Sequence, residues 1–257
     1  MNLTDDFILK CQAGVPVLLD DICAVYPATL REIAGVGYTK FLMLIQTILI
    51  TKPVLDKGNE ELEKILDSMN EFQYFLTMVS MDKEFNELAK EAFSFFTKEK
   101  VSFSLDPAQI VIGPLVEKHF LDESHFFSLR EILKKMYFLD DGEEEIVIHE
   151  DDSPRVKDIK RKMIKNRELV AKAKKKGGKP SDLAFSDLVG SVALKVPGLN
   201  LNNIFDLTYY AFQDQLKRMG WQEEYDTNTR AALAGAKINK NQLKYWIRPI
   251  RGTGSES

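Results

Sequence analysis

The chain has 257 residues, 44% of them hydrophobic and 29% charged, which suits one large core or two modest ones and excludes a disordered chain. Nine prolines and fourteen glycines favour long regular elements over a loop-rich β-sandwich. The net charge of −4 averages over a steep internal asymmetry.

The N-terminus carries Asp5 and Asp6 where a signal peptide needs positive charge. Two cysteines, Cys11 and Cys23, are too few for a disulfide framework and read as free thiols of a reducing compartment. Val15 to Leu19 and Ile22 to Val25 flank Asp20-Asp21, the pattern of a short hairpin. Pro27-Ala28-Thr29-Leu30 opens a helix with Glu32 early, where the macrodipole favours an acid. Gly35 and Gly37 weaken its middle; helix resumes from Tyr38 to about Ile50, and Pro53 ends it. The run Phe41 to Ile50, interrupted by Gln46, is the most apolar in the chain, yet reaches only about half the roughly 20 residues of a membrane span.

Two amphipathic helices are expected over Asn59 to Val79 and Asp82 to Thr97, from apolar residues at three- and four-residue steps. Their phenylalanine stripes read as core. Between residues 101 and 121 the period changes to two, with turns at Asp106-Pro107 and Gly113-Pro114, which predicts two or three short strands. Asp122-Glu123-Ser124 then caps a helix from about His125 to Phe138.

A sharp charge boundary follows. Asp140 to Asp152 holds eight acids and no Lys or Arg, whereas Arg155 to Lys179 holds twelve bases and two acids, a local charge of +10. Ile146-Val147-Ile148 is a candidate strand, and the basic run is a candidate helix up to Lys176. Beyond Lys179-Pro180-Ser181, one helix is expected around Phe185 to Ala193, closed by Pro197-Gly198. A second is expected from about Ile204 to Met219, ended by Gly220. A third runs from Trp221 to about Ala236, and a short terminal one ends at Trp246 and Ile250. The fold expected is therefore mainly α with a small β component (α+β). Residues 1–139 form an N-terminal helical domain with short strands, and 140–180 an acidic linker followed by a basic helix. Residues 181–250 form a C-terminal helical module, hinged to the first as a separate unit, and 251–257 a frayed tail.

Catalytic constellations are missing from the sequence: there is no phosphate-binding glycine loop, nucleophile elbow, H-E-x-x-H or C-x-x-C. His119 and His125 bracket Asp122 and Glu123, but their spacing matches no ligand motif, and His149 lies among acids as a solvated pair partner. No cofactor, metal or catalytic residue is assigned, and the chain is read as non-enzymatic. The acidic run lacks a calcium-loop spacing and reads as a solvated linker. The basic run has three readings: a solvated helical face, a site for an acidic protein, or a nucleic-acid contact. The last is weakened by the absence of aromatic residues between Arg155 and Lys179.

The C-terminal order is more specific. It runs from Asn203-Ile204-Phe205-Asp206-Leu207-Thr208-Tyr209-Tyr210-Ala211-Phe212, through Tyr225-Asp226, Gly235 and Lys237, to Tyr245-Trp246-Ile247-Arg248. With Pro27-Ala28-Thr29-Leu30-Arg31-Glu32-Ile33 and Gly37-Tyr38 near the start, it resembles the tail assembly chaperones of tailed phages and prophages of Gram-positive bacteria. Ala236, between Gly235 and Lys237, departs from the tighter pair of that pattern. The resemblance implies a protein of the host bacterial cytoplasm. Such a protein binds the tape measure protein during tail morphogenesis, meets tail tube protein, and is expected to self-associate. Candidate anchors for the partner are Tyr209, Tyr210, Phe212, Trp221, Tyr225, Tyr245 and Trp246, aromatic residues of the kind that dominates interfaces. The alternative for each is a place in the module's own core. Alternatives for the whole chain are a structural tail or connector component of the virion, or a nucleic-acid-binding regulator using the basic segment.

Overall fold

The computed structural model describes residues 4–53, 66–113, 119–139, 184–236 and 245–247. Among the described residues the protein is mainly helical with two small antiparallel sheets, as the sequence predicts. Helix α1 (Asp5–Ala13) leads into a hairpin of β1 (Val17–Leu19) and β2 (Cys23–Val25). Helices α2 (Leu30–Val36), α3 (Tyr38–Ile48), α4 (Glu71–Met81) and α5 (Lys83–Thr97) follow. The second sheet, in the order β3 (Val101–Leu105), β4 (Ala108–Ile112), β5 (His119–Leu121), precedes α6 (Glu123–Met136). Then come α7 (Phe185–Lys195), a 3₁₀ turn (Ile204–Asp206) and α8 (Tyr209–Leu233).

Local chemistry explains most boundaries. Thr29 and Glu32 form a reciprocal capping box at the start of α2, and Asn70 and Gln73 do the same for α4. Asp82 caps α5, and Asp122 caps α6. Gly37, at φ +88°, separates α2 from α3, a conformation that glycine reaches without steric cost. In α5 the buried residues Ala89, Ala92, Phe93, Phe96 and Thr97 recur at helical steps and form the inner stripe. Ile110 and Ile112 of β4 and Leu121 of β5 are buried on one face of the three-stranded sheet, with Ile110 paired to both Phe103 and Leu121.

Among the described residues, two aromatic clusters fill the core. Phe41 of α3 touches the rings of Phe96 and Tyr137 and that of Tyr209, brought from α8. Phe75 of α4 meets Phe93, Phe103 and Phe126. Burial of each such ring contributes about 1.5–3 kcal/mol against the entropy of ordering the chain. Arg130 is buried beside them: it donates to a Glu71 carboxylate oxygen at 2.5 Å and to the Leu49 carbonyl at 3.1 Å, with its guanidinium over the Phe126 ring. One cation thus satisfies the end of α3 and the start of α4.

Several boundaries differ from the sequence reading. Helix α1 was not expected; Thr4 caps it, and Asp5 and Asp6 are its first-turn acids. Helix α3 stops at Ile48, ahead of Pro53, where Arg130 takes up the Leu49 carbonyl. The single helix expected over 59–79 is broken before Asn70. Lys52 donates to the carbonyls of Leu66 and Met69 there, and the Asn70–Gln73 box starts α4 afresh. Gly220 does not end a helix: α8 runs through it for 25 residues, and Gly220 does not take a positive φ. A glycine inside a helix costs about 1 kcal/mol, which a long run of helix formers on both sides absorbs.

The division of the chain also differs. Residues 1–139 and 190–257 group as one compact unit and 140–189 as a second, whereas the charge pattern placed a separate module at 181–250. The reason lies in the hydrogen bonds and rings at the start of α8. The acidic linker, the strand at 146–148 and the basic helix lie outside the described residues; so does most of the terminal helix, of which Tyr245–Ile247 are described and not helical.

Candidate partner-binding site

The seven aromatic candidates separate into two groups, and α8 itself makes the division. At its start Thr208 is extended, accepts from the Ala211 N–H as the helix cap, and donates its hydroxyl to the Cys11 carbonyl at 2.7 Å. The flanking backbone forms an antiparallel bridge with Thr29: the Leu30 N–H donates to the Leu207 carbonyl at 2.9 Å and the Tyr209 N–H to the Ala28 carbonyl at 2.8 Å. Arg31 and Asp206 pair at 2.7 Å on the surface of the joint. Gln12 donates to the buried Asp214 carboxylate at 3.1 Å, and Arg218 approaches the same group at 3.2 Å.

Tyr209, Tyr210 and Phe212 follow this joint into the interior, at 9%, 2% and 0% exposure. Tyr209 stacks among Phe41 and Tyr137, and Tyr210 meets Phe138 at 4.6 Å. These three are core residues here, the alternative that the sequence left open for each candidate anchor. Their burial seals α8 to the first 139 residues. It also removes the Tyr209 phenol from acid–base work, since burial, with Tyr38 nearby, pushes its pKa far above the ordinary range.

The second group behaves differently. From Leu216 to Leu233 no residue of α8 is fully buried, and Leu233 is 84% exposed. Trp221 and Tyr225 are half-buried on this stretch. Tyr225 meets the Tyr245 ring edge-on at 5.5 Å, and Tyr245 lies 6.0 Å from Trp246. Tyr245 and Ile247 are each more than half exposed. Tyr225, Tyr245 and Trp246 are thus in ring contact beside the part of α8 that lies beyond its joint with α1 and α2.

The remaining chemistry is local. His125 lies 2.7 Å from the Asp122 carboxylate and 3.6 Å from Asp20, at the turn of the first hairpin. The Cys23 thiol, half-buried, is pushed up to about 11 by desolvation and stays protonated near neutral pH. Cys11 is fully buried. Among the described residues, no three His, Cys, Asp or Glu side chains are placed to hold a metal ion. Also among them, no helix is long and apolar enough to cross a membrane.

The sequence reading missed the residues that build the joint: Thr208, Asp206 and Asp214, with Cys11, Gln12 and Arg31 opposite. Thr208 carried a signal, since a threonine ahead of an aromatic run is a helix-cap pattern. Its second bond, to a carbonyl 197 positions away, carries none.

Residues 172–251 match the family model described as YomV second domain, a phage-derived family, and they contain all of α7, α8 and the exposed aromatic group. Neither a curated protein nor a solved structure matches the chain.

Proposed function

We propose that this chain is a non-enzymatic tail assembly chaperone that binds the tape measure protein in the host cytoplasm before the tail tube polymerises. The observation that carries this reading is the division of α8. Its first two turns are committed to the core, whereas about five further turns, Leu216 to Leu233, carry no fully buried residue. A helix of that length gains little from propensity alone. Its aromatic group with Tyr245 and Trp246 is the kind of surface that takes an amphipathic helix of a partner. Two further facts support the reading: the phage-derived family matched by residues 172–251, and the ordered resemblance of both chain ends to tail assembly chaperones. A tape measure protein is long and helical, so its apolar stripes need covering until the tube encloses them.

The test has two parts. Tape measure protein from the same phage, used as bait in cells making both proteins, should retain this chain. Mass spectrometry of purified particles should then find the tape measure protein without it. Presence of the chain in finished particles favours a structural tail component instead, and failure of the two proteins to associate removes the reading.

A further inference from the structure

The C-terminus of α6 has the 6→1 hydrogen bond of a Schellman ending after its last ordinary helical bond, but a phenylalanine stands where such endings take glycine. The Leu139 N–H donates to the Lys134 carbonyl at 2.8 Å and the Tyr137 N–H to the Leu133 carbonyl at 3.0 Å. Phe138, between them, has φ +59°. That left-handed conformation is unfavourable for a bulky side chain and persists only where its surroundings impose it.

Here the surroundings come from α8. The Phe138 ring packs on Tyr210 with centroids 4.6 Å apart, and the Lys217 ammonium lies 4.6 Å over the same ring. Tyr210 and Lys217 are seven positions apart on α8 and so share one face. The neighbouring residues repeat the arrangement: Tyr137 meets Tyr209 at 5.7 Å, and its hydroxyl oxygen accepts from the Ala28 N–H at 3.0 Å. Two successive residues at the end of α6 thus face two successive residues at the start of α8. Phe138 also stands two positions before residues 140–189, the second compact unit.

We propose that Phe138 is a latch through which the docked first turns of α8 hold the end of α6 in its left-handed turn. Release of α8 removes the rings and the cation that offset the strain, so the turn opens at the point where the chain leaves for residues 140–189. A glycine at 138 keeps the turn but severs this dependence, because glycine adopts the same φ without help.

Amide exchange at Leu139 in the full chain tests the latch, with the Leu133 amide of the same helix as internal reference. In the Phe138 background, Lys217→Gln should speed Leu139 exchange about two- to fivefold, the range expected for loss of a cation–π contact. Tyr210→Leu should speed it about tenfold, as expected for unsupported left-handed strain. In Phe138→Gly, the same two substitutions should leave Leu139 exchange unchanged relative to Leu133. Equal effects in both backgrounds, or no effect of Lys217→Gln beside Phe138, overturn the proposal. Lys217→Gln, at a partly exposed position, keeps the comparison usable should Tyr210→Leu unfold the chain.

Discussion

Thr208 donates its hydroxyl to the main-chain carbonyl of Cys11 at 2.7 Å, joining positions 197 residues apart, while its oxygen accepts from the Ala211 N–H and starts α8. One small side chain therefore both begins the C-terminal helix and fixes it to the N-terminal one. Thr208→Val keeps the shape and removes both bonds. It should lower stability by about 2–3 kcal/mol, and Thr208→Ser should recover most of that. Urea unfolding measures it. Both tryptophans, Trp221 and Trp246, lie in the C-terminal segment. If residues 1–139 and 190–236 are one cooperative body, tryptophan fluorescence and far-ultraviolet dichroism should show one coincident transition.

Arg130 is a second joint, with its side chain 4% exposed between Glu71, the Leu49 carbonyl and the Phe126 ring. Arg130→Met keeps the apolar stem but strands the carbonyl, and should cost roughly 2–3 kcal/mol. Glu71 is about a third exposed and recovers water, so Glu71→Gln should cost less. Chemical denaturation of the two variants side by side gives the ranking.

Glu32 predicts a pH dependence. Burial would raise its carboxyl pKa, but the Lys98 ammonium and the Thr29 N–H and hydroxyl outweigh burial and hold it below the ordinary value. A carboxyl depressed in the folded state stabilises above its unfolded pKa and loses that contribution as pH falls through the folded value. Glu32→Gln should therefore be less stable than wild type at pH 7, and the gap should close as the pH is lowered through the acid side of the carboxylate range. A gap independent of pH contradicts the capping and pairing roles assigned to this residue.

The two thiols should be slow to react. Cys11 is fully buried, and the Cys23 thiol is pushed up to about 11 by desolvation. Iodoacetamide at pH 8 should modify neither quickly in the native protein and both in denaturant, as read by mass.

What the sequence discloses and what it hides follow one physical rule. Periodic and capping signals are local, so the stripe Ala89 to Thr97, the Thr29–Glu32 box and the strands around Asp106-Pro107 were legible. The fate of an aromatic residue is not local. Tyr209 and Tyr225 lie on one helix, yet the first is buried because Phe41 and Tyr137 meet it, whereas the second is half-buried against Tyr245. Nothing within the C-terminal segment distinguishes them. The charge reversal after Phe138 suggested a hinge for the same reason. Composition marks where a chain changes character, whereas the bridge between Thr29 and Thr208 decides what packs together.

The aromatic surface of Tyr225, Tyr245 and Trp246 is separable from the joint, so its substitution should spare the fold. Tyr225→Ala with Trp246→Ala should leave the unfolding midpoint within about 0.5 kcal/mol of wild type, the usual range for surface changes, while weakening partner binding.

The most direct measurement is the solubility of tape measure protein expressed with and without this chain, read as the fraction remaining in the supernatant after centrifugation. The account predicts that the wild-type chain keeps the tape measure protein soluble in a complex, and that the folded Tyr225→Ala, Trp246→Ala variant does so less well. A tape measure protein whose solubility is indifferent to the wild-type chain contradicts it.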